Sequence, residues 1–227
     1  MPTGPPPVSL PSLASARVYW LPFLAFAVLT SIEGHVPAAL YPQAYGMKIL
    51  VVSILLLVDR QALGVIQPSS QVVIRAVAVG VVVFAEWIVL DKLIPYPSLG
   101  HRVAYDPLAA FSSPGPLAAF LVVRMFGLVA VVPLVEELFW RGFALRYLTD
   151  AHFNRVPIGV FSTSAFWIVT IVGAGTHPEW PVALIAFALY AWLLKSTRSL
   201  FAVILAHAVT NAALGVYIFV ARDWRYW

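Results

Sequence analysis

Apolar runs long enough to cross a bilayer as helix recur along this chain, and they narrow its fold more than any other feature. A spanning helix needs about 17–25 predominantly apolar residues, and several runs here reach or approach that length. Of the 227 residues, 61% are hydrophobic and 11% charged, against about 25% charged in an ordinary soluble domain. These observations predict an all-α, polytopic transmembrane helical bundle of about seven or eight helices, forming one domain over residues 17–227. Residues 1–16, MPTGPPPVSLPSLASA, are uncharged and rich in Pro, Ser and Gly, which reads as a disordered tail. The small-residue triplet Ala14-Ser15-Ala16 precedes the apolar run instead of following it, the reverse of a cleavable signal. The absence of cysteine excludes disulfides, thiolate metal sites and a cysteine nucleophile. The net charge of +4 fits basic residues that cap helix ends and set orientation in the membrane, so nucleic acid is not an expected partner.

Spans are expected at Tyr19 to Ile32, Ala44 to Val58, Val72 to Leu90, Leu117 to Val135, Val156 to Gly175, Pro181 to Leu194 and Leu200 to Val220. Pro133 is expected to kink the fourth, because proline lacks a backbone donor and clashes with the preceding turn. An amphipathic helix then follows from Glu136 to Leu148, and half-spans around Pro133 would raise the count to eight. The loop from Asp91 to Pro116 holds five prolines, is long for a compact domain, and is placed to cap a face or cover a site. Counting Lys and Arg at the span ends, eight against five favours a cytoplasmic amino terminus and a cytoplasmic Glu136 helix.

Ionisable groups at membrane depth are costly and persist where they pair or do chemistry. Glu136, Glu137 and Arg141 lie in the apolar run VVPLVEELFWRGFALRYL. Residues four apart share a helix face, so Glu137 can pair with Arg141. Glu136 points about 100° away and lacks that partner. His207 and Asn211 form a second i,i+4 pair in an apolar helix, a polar stripe that needs a partner from another helix; Glu136 is the expected one. His177, in VGAGTHPEWP, follows a glycine-rich helix end and precedes a proline. A carboxylate, two imidazoles and an amide can supply a base for water and donors for an oxyanion. They are also a donor set suited to a divalent metal such as Zn²⁺. A proton or ion relay through Glu86, Arg124 and Glu136 is the rival reading, and a non-proteolytic scaffold, immunity or regulatory protein of the same fold is another.

Glu136-Glu137 with Arg141 (EExxxR), the downstream His177, and His207 with Asn211 (HxxxN) together resemble the CAAX prenyl protease and bacteriocin-processing family of intramembrane glutamic endopeptidases. Tyr105-Asp106-Pro107, the HPEW segment and Ser196-Thr197-Arg198-Ser199-Leu200 further resemble its exosortase-associated bacterial branch. The resemblance implies a helical membrane fold with a membrane-embedded catalytic cavity, located in a bacterial inner membrane. It implies hydrolysis of a membrane-anchored protein or peptide, with Glu136 as base, His177 orienting the water, and His207 and Asn211 stabilising the oxyanion. Glu137 and Arg141 take a supporting role. No cofactor is required by this reading, and a divalent metal fits it. One departure stands out: the family's second motif has Phe four residues before the histidine, where this chain has Gly173.

Overall fold

The computed structural model describes residues 13–58, 60–100 and 102–227, with side chains from residue 16 onward. Most of the expected tail lies outside the described residues. The first helix begins at Leu13, inside the segment assigned to that tail. The described residues form helices α1 (Leu13–Glu33), α2 (Tyr41–Val58), α3 (Val73–Leu93), α4 (Pro114–Tyr147), α5 (Thr163–Ala174), α6 (Trp180–Thr197) and α7 (Leu200–Ala221). Among the described residues there is no strand. All of these helices except α5 are long and apolar enough to cross a membrane, six in number. Ile74, Leu57, Val122 and Val220 turn outward from the bundle, as side chains facing lipid do. The chain is an integral, multi-pass membrane protein built as a helical bundle.

Two span expectations need correction. The fifth span, expected over Val156 to Gly175, is helical only from Thr163 to Ala174. Pro157 and Gly159, the latter at φ +78°, hold the preceding segment out of helix, and the Ser162 side chain starts α5 by accepting from Ala165 N. At roughly 1.5 Å per residue α5 is about 18 Å long, well short of a bilayer core of about 30 Å. With its flanks it still runs the length of α6: Gly159 abuts Leu194 at one end, while Pro178 meets Leu99 at the other.

The second correction concerns Pro133. The expected fourth span and the helix after it are one 34-residue helix, α4. Pro133 sits in an α-helical stretch, Val132–Glu137, between two π-helical stretches, Gly127–Val131 and Leu138–Ala144. The wider turn absorbs the proline without splitting the helix, and π stretches of this kind concentrate at functional sites.

Packing brings α3, α6 and α7 together. A Cβ on Gly80 of α3 would lie 2.5 Å from the Ala206 carbonyl of α7, so only glycine allows this approach. Thr210 Oγ1 donates to the Gly80 carbonyl at 2.8 Å and accepts from Tyr190 Oη of α6 at 2.8 Å.

The connection between α3 and α4 is shorter than the Asp91 to Pro116 loop expected, because Pro114 and Pro116 start α4, where a missing N–H costs nothing. Asp106 caps a single turn, Pro107–Ala110, by accepting from Leu108 N and Ala109 N at 2.9 and 3.2 Å. The connection is tied down over the α5–α6 junction. Leu99 N and Ser98 Oγ both donate to the Pro178 carbonyl at 3.2 Å, and Trp180 Nε1 donates to the Pro97 carbonyl at 3.0 Å. Arg102 closes the contact with a two-pronged pair to Glu179 at 2.9 and 3.1 Å.

Candidate active site

A cavity of about 620 Å³ descends between α1, α2, α4 and α7 beneath the α3–α4 connection, which contributes Leu99, Arg102 and Val103 to its wall. Glu136, His177, His207 and Asn211 all line it, as do Glu137 and Arg141. Two helices, α4 and α7, and the α5–α6 junction therefore bring the residues singled out from sequence to one space.

Within that space their partners differ from expectation. Glu137 is fully buried, and its Oε1 accepts from Arg141 Nη1 at 3.1 Å, the i,i+4 pair read from the spacing. The same oxygen accepts from His207 Nδ1 at 3.0 Å. His207 was expected to meet Glu136 and meets its neighbour instead, because α7 crosses α4 on the face that Glu137 occupies. Glu137 thus does more than neutralise Arg141: it orients the His207 ring through Nδ1 and leaves Nε2 without a partner among the described residues. The imidazole lies against the Tyr190 ring, centroids 5.5 Å apart and planes within 24°.

Asn211 also departs from Glu136. Its Nδ2 donates to the Leu128 carbonyl at 2.9 Å. The reason lies in the α4 ladder. In the π stretch each N–H reaches back five residues, as Val132 N does to the Gly127 carbonyl. The next donor in that register would be residue 133, a proline without an N–H. The Leu128 carbonyl is left over, and a buried carbonyl needs a partner. Asn211 supplies it.

Glu136 is then the exception. It is buried to 8% exposure, yet among the described residues it makes no hydrogen bond or ion pair, and its carboxylate faces the cavity. His177 stands near it. The His177 Nδ1 lies 3.1 Å from the Gly173 carbonyl and 3.2 Å from Thr176 Oγ1, so the proton sits on Nδ1 and Nε2 carries a lone pair. Burial lowers the His177 pKa, with the Glu136 carboxylate pulling it partly back up and the Arg102 charge lowering it further. The ring stays neutral at pH 7.

Gly173 explains the departure in the second motif. A Cβ at this position would lie 2.0 Å from Phe187 Cε1. The ring of Phe187, on α6, fills the space that a Phe side chain at 173 would take. It also packs 5.9 Å from His177 and lies 4.3 Å under the Arg141 guanidinium. Arg141 Nη2 donates to the Phe187 carbonyl at 3.3 Å. Phe187 and Tyr190 are site residues that sequence reasoning missed; three apart on an apolar helix, they look like ordinary core aromatics. Gly173 was the available signal, since a missing aromatic invites a search for its replacement.

The remaining motif segments are structural. Tyr105 stacks on Tyr41 at 4.6 Å, Asp106 caps a turn, Glu179 of the HPEW segment holds Arg102, and Arg198 ends α6 in a left-handed conformation at φ +54°. Glu86 is outside the cavity wall that Arg124 and Glu136 share, so the three do not form one relay. The donor types present suit a divalent metal, but among the described residues no three His, Asp or Glu side chains come close enough to hold one ion. No step below is routed through a metal.

No curated protein and no solved structure gives a match to this chain. A protein-family comparison does: residues 118–213 match the model of a protease family described as type II CAAX prenyl endopeptidase Rce1-like. The match reaches the family and not the exosortase-associated branch. It spans EExxxR, His177 and HxxxN, the segments that build the cavity floor. Over residues 118–213, somewhat less than half of its length, the chain is similar to the type II CAAX prenyl endopeptidase Rce1-like family.

Proposed function

We propose that the protein is an intramembrane endopeptidase that hydrolyses a peptide bond in a membrane-associated protein or peptide, with Glu136 activating the water. The observation that carries this reading is the unpaired Glu136 carboxylate in a cavity whose other carboxylates are paired. A buried carboxylate without a counter-charge is a costly arrangement to keep, and a base poised to accept a proton is the use that fits it.

In this scheme Glu136 takes a proton from water while His177 Nε2 accepts the second hydrogen and holds the oxygen in line. The hydroxide adds to the peptide carbonyl. His207 donates Nε2–H to the oxyanion while its Nδ1–H stays on Glu137, and the second amide hydrogen of Asn211 is the other donor. Such donors are worth about 10²–10³ in rate at comparable sites. The intermediate collapses as Glu136 returns its proton to the departing amine, which leaves a new carboxylate and a new amino terminus.

The test compares cells expressing the parent or Glu136→Gln by mass spectrometry of membrane-protein termini. New termini should appear with the parent and vanish with the variant, while both proteins accumulate in the membrane. An identical set of new termini from the Gln variant would sink the assignment of Glu136.

A further inference from the structure

The cavity is open at one end of the bundle and closed at the other. Its exposed lining residues include Ser31, Gly34 and His35, where α1 ends, and Leu99, Gly100 and Val103 of the α3–α4 connection. Beyond Arg141 the next turn of α4 is packed shut. Phe143 stacks on Tyr19 with centroids 6.2 Å apart and meets Phe153 edge-on at 5.1 Å. Leu145, Leu194 and Leu200 fill the space around them and are fully buried. None of these side chains lines the cavity.

The up-and-down course of the helices decides which termini share each end. At the mouth, Tyr226, just past α7, reaches Asp91 near the end of α3, and Leu99 meets Pro178 between α5 and α6. At the closed end Gly159, just before α5, abuts Leu194 near the end of α6, and Arg146 Nε donates to the Val156 carbonyl. Exposed Lys and Arg divide unequally between the two. Arg17, Arg60, Arg75, Arg155, Lys195 and Arg198 are exposed at the closed end, against Lys92, Arg222 and Arg225 at the mouth. Arg102, also at the mouth, is tied to Glu179, and buried Arg146 belongs to the closed end. Lys48, Arg124 and Arg141 line the cavity and lie outside this comparison. Orientation follows Lys and Arg near the span ends, with Asp and Glu contributing little.

We propose that the closed end faces the cytoplasm and that the cavity opens on the opposite side of the membrane. The exposed cations of the closed end then meet the anionic leaflet that faces the cytoplasm. For the reaction, the consequence rests on the peptidase reading. A segment to be cut reaches Glu136 from the side away from the cytoplasm. The step that supplies it is therefore the translocation of a polypeptide across the membrane, or its insertion into it, and cleavage comes afterwards.

The chain has no cysteine, so single introduced thiols report the side on which they lie. Ser112→Cys in the α3–α4 connection and Ala151→Cys just past α4, both at exposed positions, are made separately in the parent and in the Glu136→Gln protein. Intact cells are treated with a small thiol reagent that does not cross membranes, and the remaining thiols are counted with a permeant maleimide. Ser112→Cys should be labelled in intact cells and Ala151→Cys only after permeabilisation. Labelling of Ala151→Cys in place of Ser112→Cys would overturn the proposal, and so would equal labelling of both in intact cells. Ser98→Cys and Ser196→Cys, exposed at the same two ends, repeat the comparison and guard against a variant that does not accumulate. Replacing Arg60, Arg75 and Lys195 together by Gln leaves the cavity wall untouched and should bring Ala151→Cys into reach of the reagent in intact cells. Labelling unchanged by that replacement would overturn the role given to the basic end. Thiol labelling needs no turnover, so a failure of the Glu136 assignment would leave the orientation result standing.

Discussion

Glu137→Gln separates a glutamate that only neutralises Arg141 from one that also orients His207 for the proposed reaction. The side chain keeps its shape and loses its charge. Arg141, 1% exposed, then has no counter-ion; breaking a buried pair by removing one partner costs about 3–5 kcal/mol. Some of that is offset, because Arg141 keeps its bond to the Phe187 carbonyl and its seat over the Phe187 ring, a cation–π contact worth about 1–2 kcal/mol when desolvated. A net loss of about 2–3 kcal/mol should lower the melting temperature by about 5–10 °C for a chain of this size. The same change removes the charge that holds His207 Nδ1 at 3.0 Å, so cleavage should fall by about 10²-fold, the lower end for a positioned acid or base. The assay is thermal unfolding in detergent together with cleavage of a peptide spanning a site mapped by the terminus comparison, for the parent, Glu137→Gln, His207→Ala and the double variant. If Glu137 acts through His207, the double variant should cleave no more slowly than His207→Ala alone. Two activity losses that simply multiply, or a Glu137→Gln protein as stable as the parent, would refute the shared role.

Asn211→Ala should cost about 1–3 kcal/mol by stranding the Leu128 carbonyl. It should cost less in a Pro133→Ala background, where residue 133 regains the N–H that the π register aims at that carbonyl; melting temperatures of the four proteins decide it, and equal costs in both backgrounds would contradict the account of α4. In the proposed reaction His177 must be neutral to accept from water, and burial holds its pKa below the ordinary 6.5. Cleavage should hold through pH 6.5 and decline only below it, a limb that His177→Gln removes. Stability moves the same way. The unfolded chain takes up that proton more readily than the folded one, so folding is weakened as pH falls through 6.5 toward the lowered value.

Much of the fold was legible because membrane spans are written in composition. Apolar length predicted the long helices, and the i,i+4 geometry predicted Glu137 against Arg141 before any coordinates. The errors have physical causes. The segment from Val156 is as apolar as a span, but Pro157 and Gly159 shorten its helix, and hydropathy does not weigh backbone conformation. Pro133 predicted a kink because a proline in an α-helix strands a carbonyl and clashes with the turn before it. The π stretch relieves the clash, and the stranded carbonyl is satisfied from α7, far away in sequence. Local reasoning had no access to that partner. The choice of Glu137 over Glu136 by His207 depends on how α7 is rotated against α4, which the tight contact of Gly80 with Ala206 helps to fix.

These contacts make the chemistry and the packing hard to separate on α7. His207 and Asn211, one turn apart, each spend one polar hydrogen on α4, His207 on the Glu137 carboxylate and Asn211 on the Leu128 carbonyl. One residue later in the pair of glutamates, or one residue earlier in the ladder, neither bond would form. Thr210 between them bonds to the Gly80 carbonyl of α3, so α7 is held on two sides by the same turn of helix that faces the cavity. Each of His207 and Asn211 then has one nitrogen position left over: Nε2 of the imidazole and the second amide hydrogen. A side chain whose first hydrogen bond fixes its orientation presents its second group at a defined place, which is what an oxyanion donor must do without reorganising. On this argument the HxxxN spacing answers to α4 as well as to the substrate. Glu136 alone is unbound by either, and in the proposed reaction it is the group that meets water.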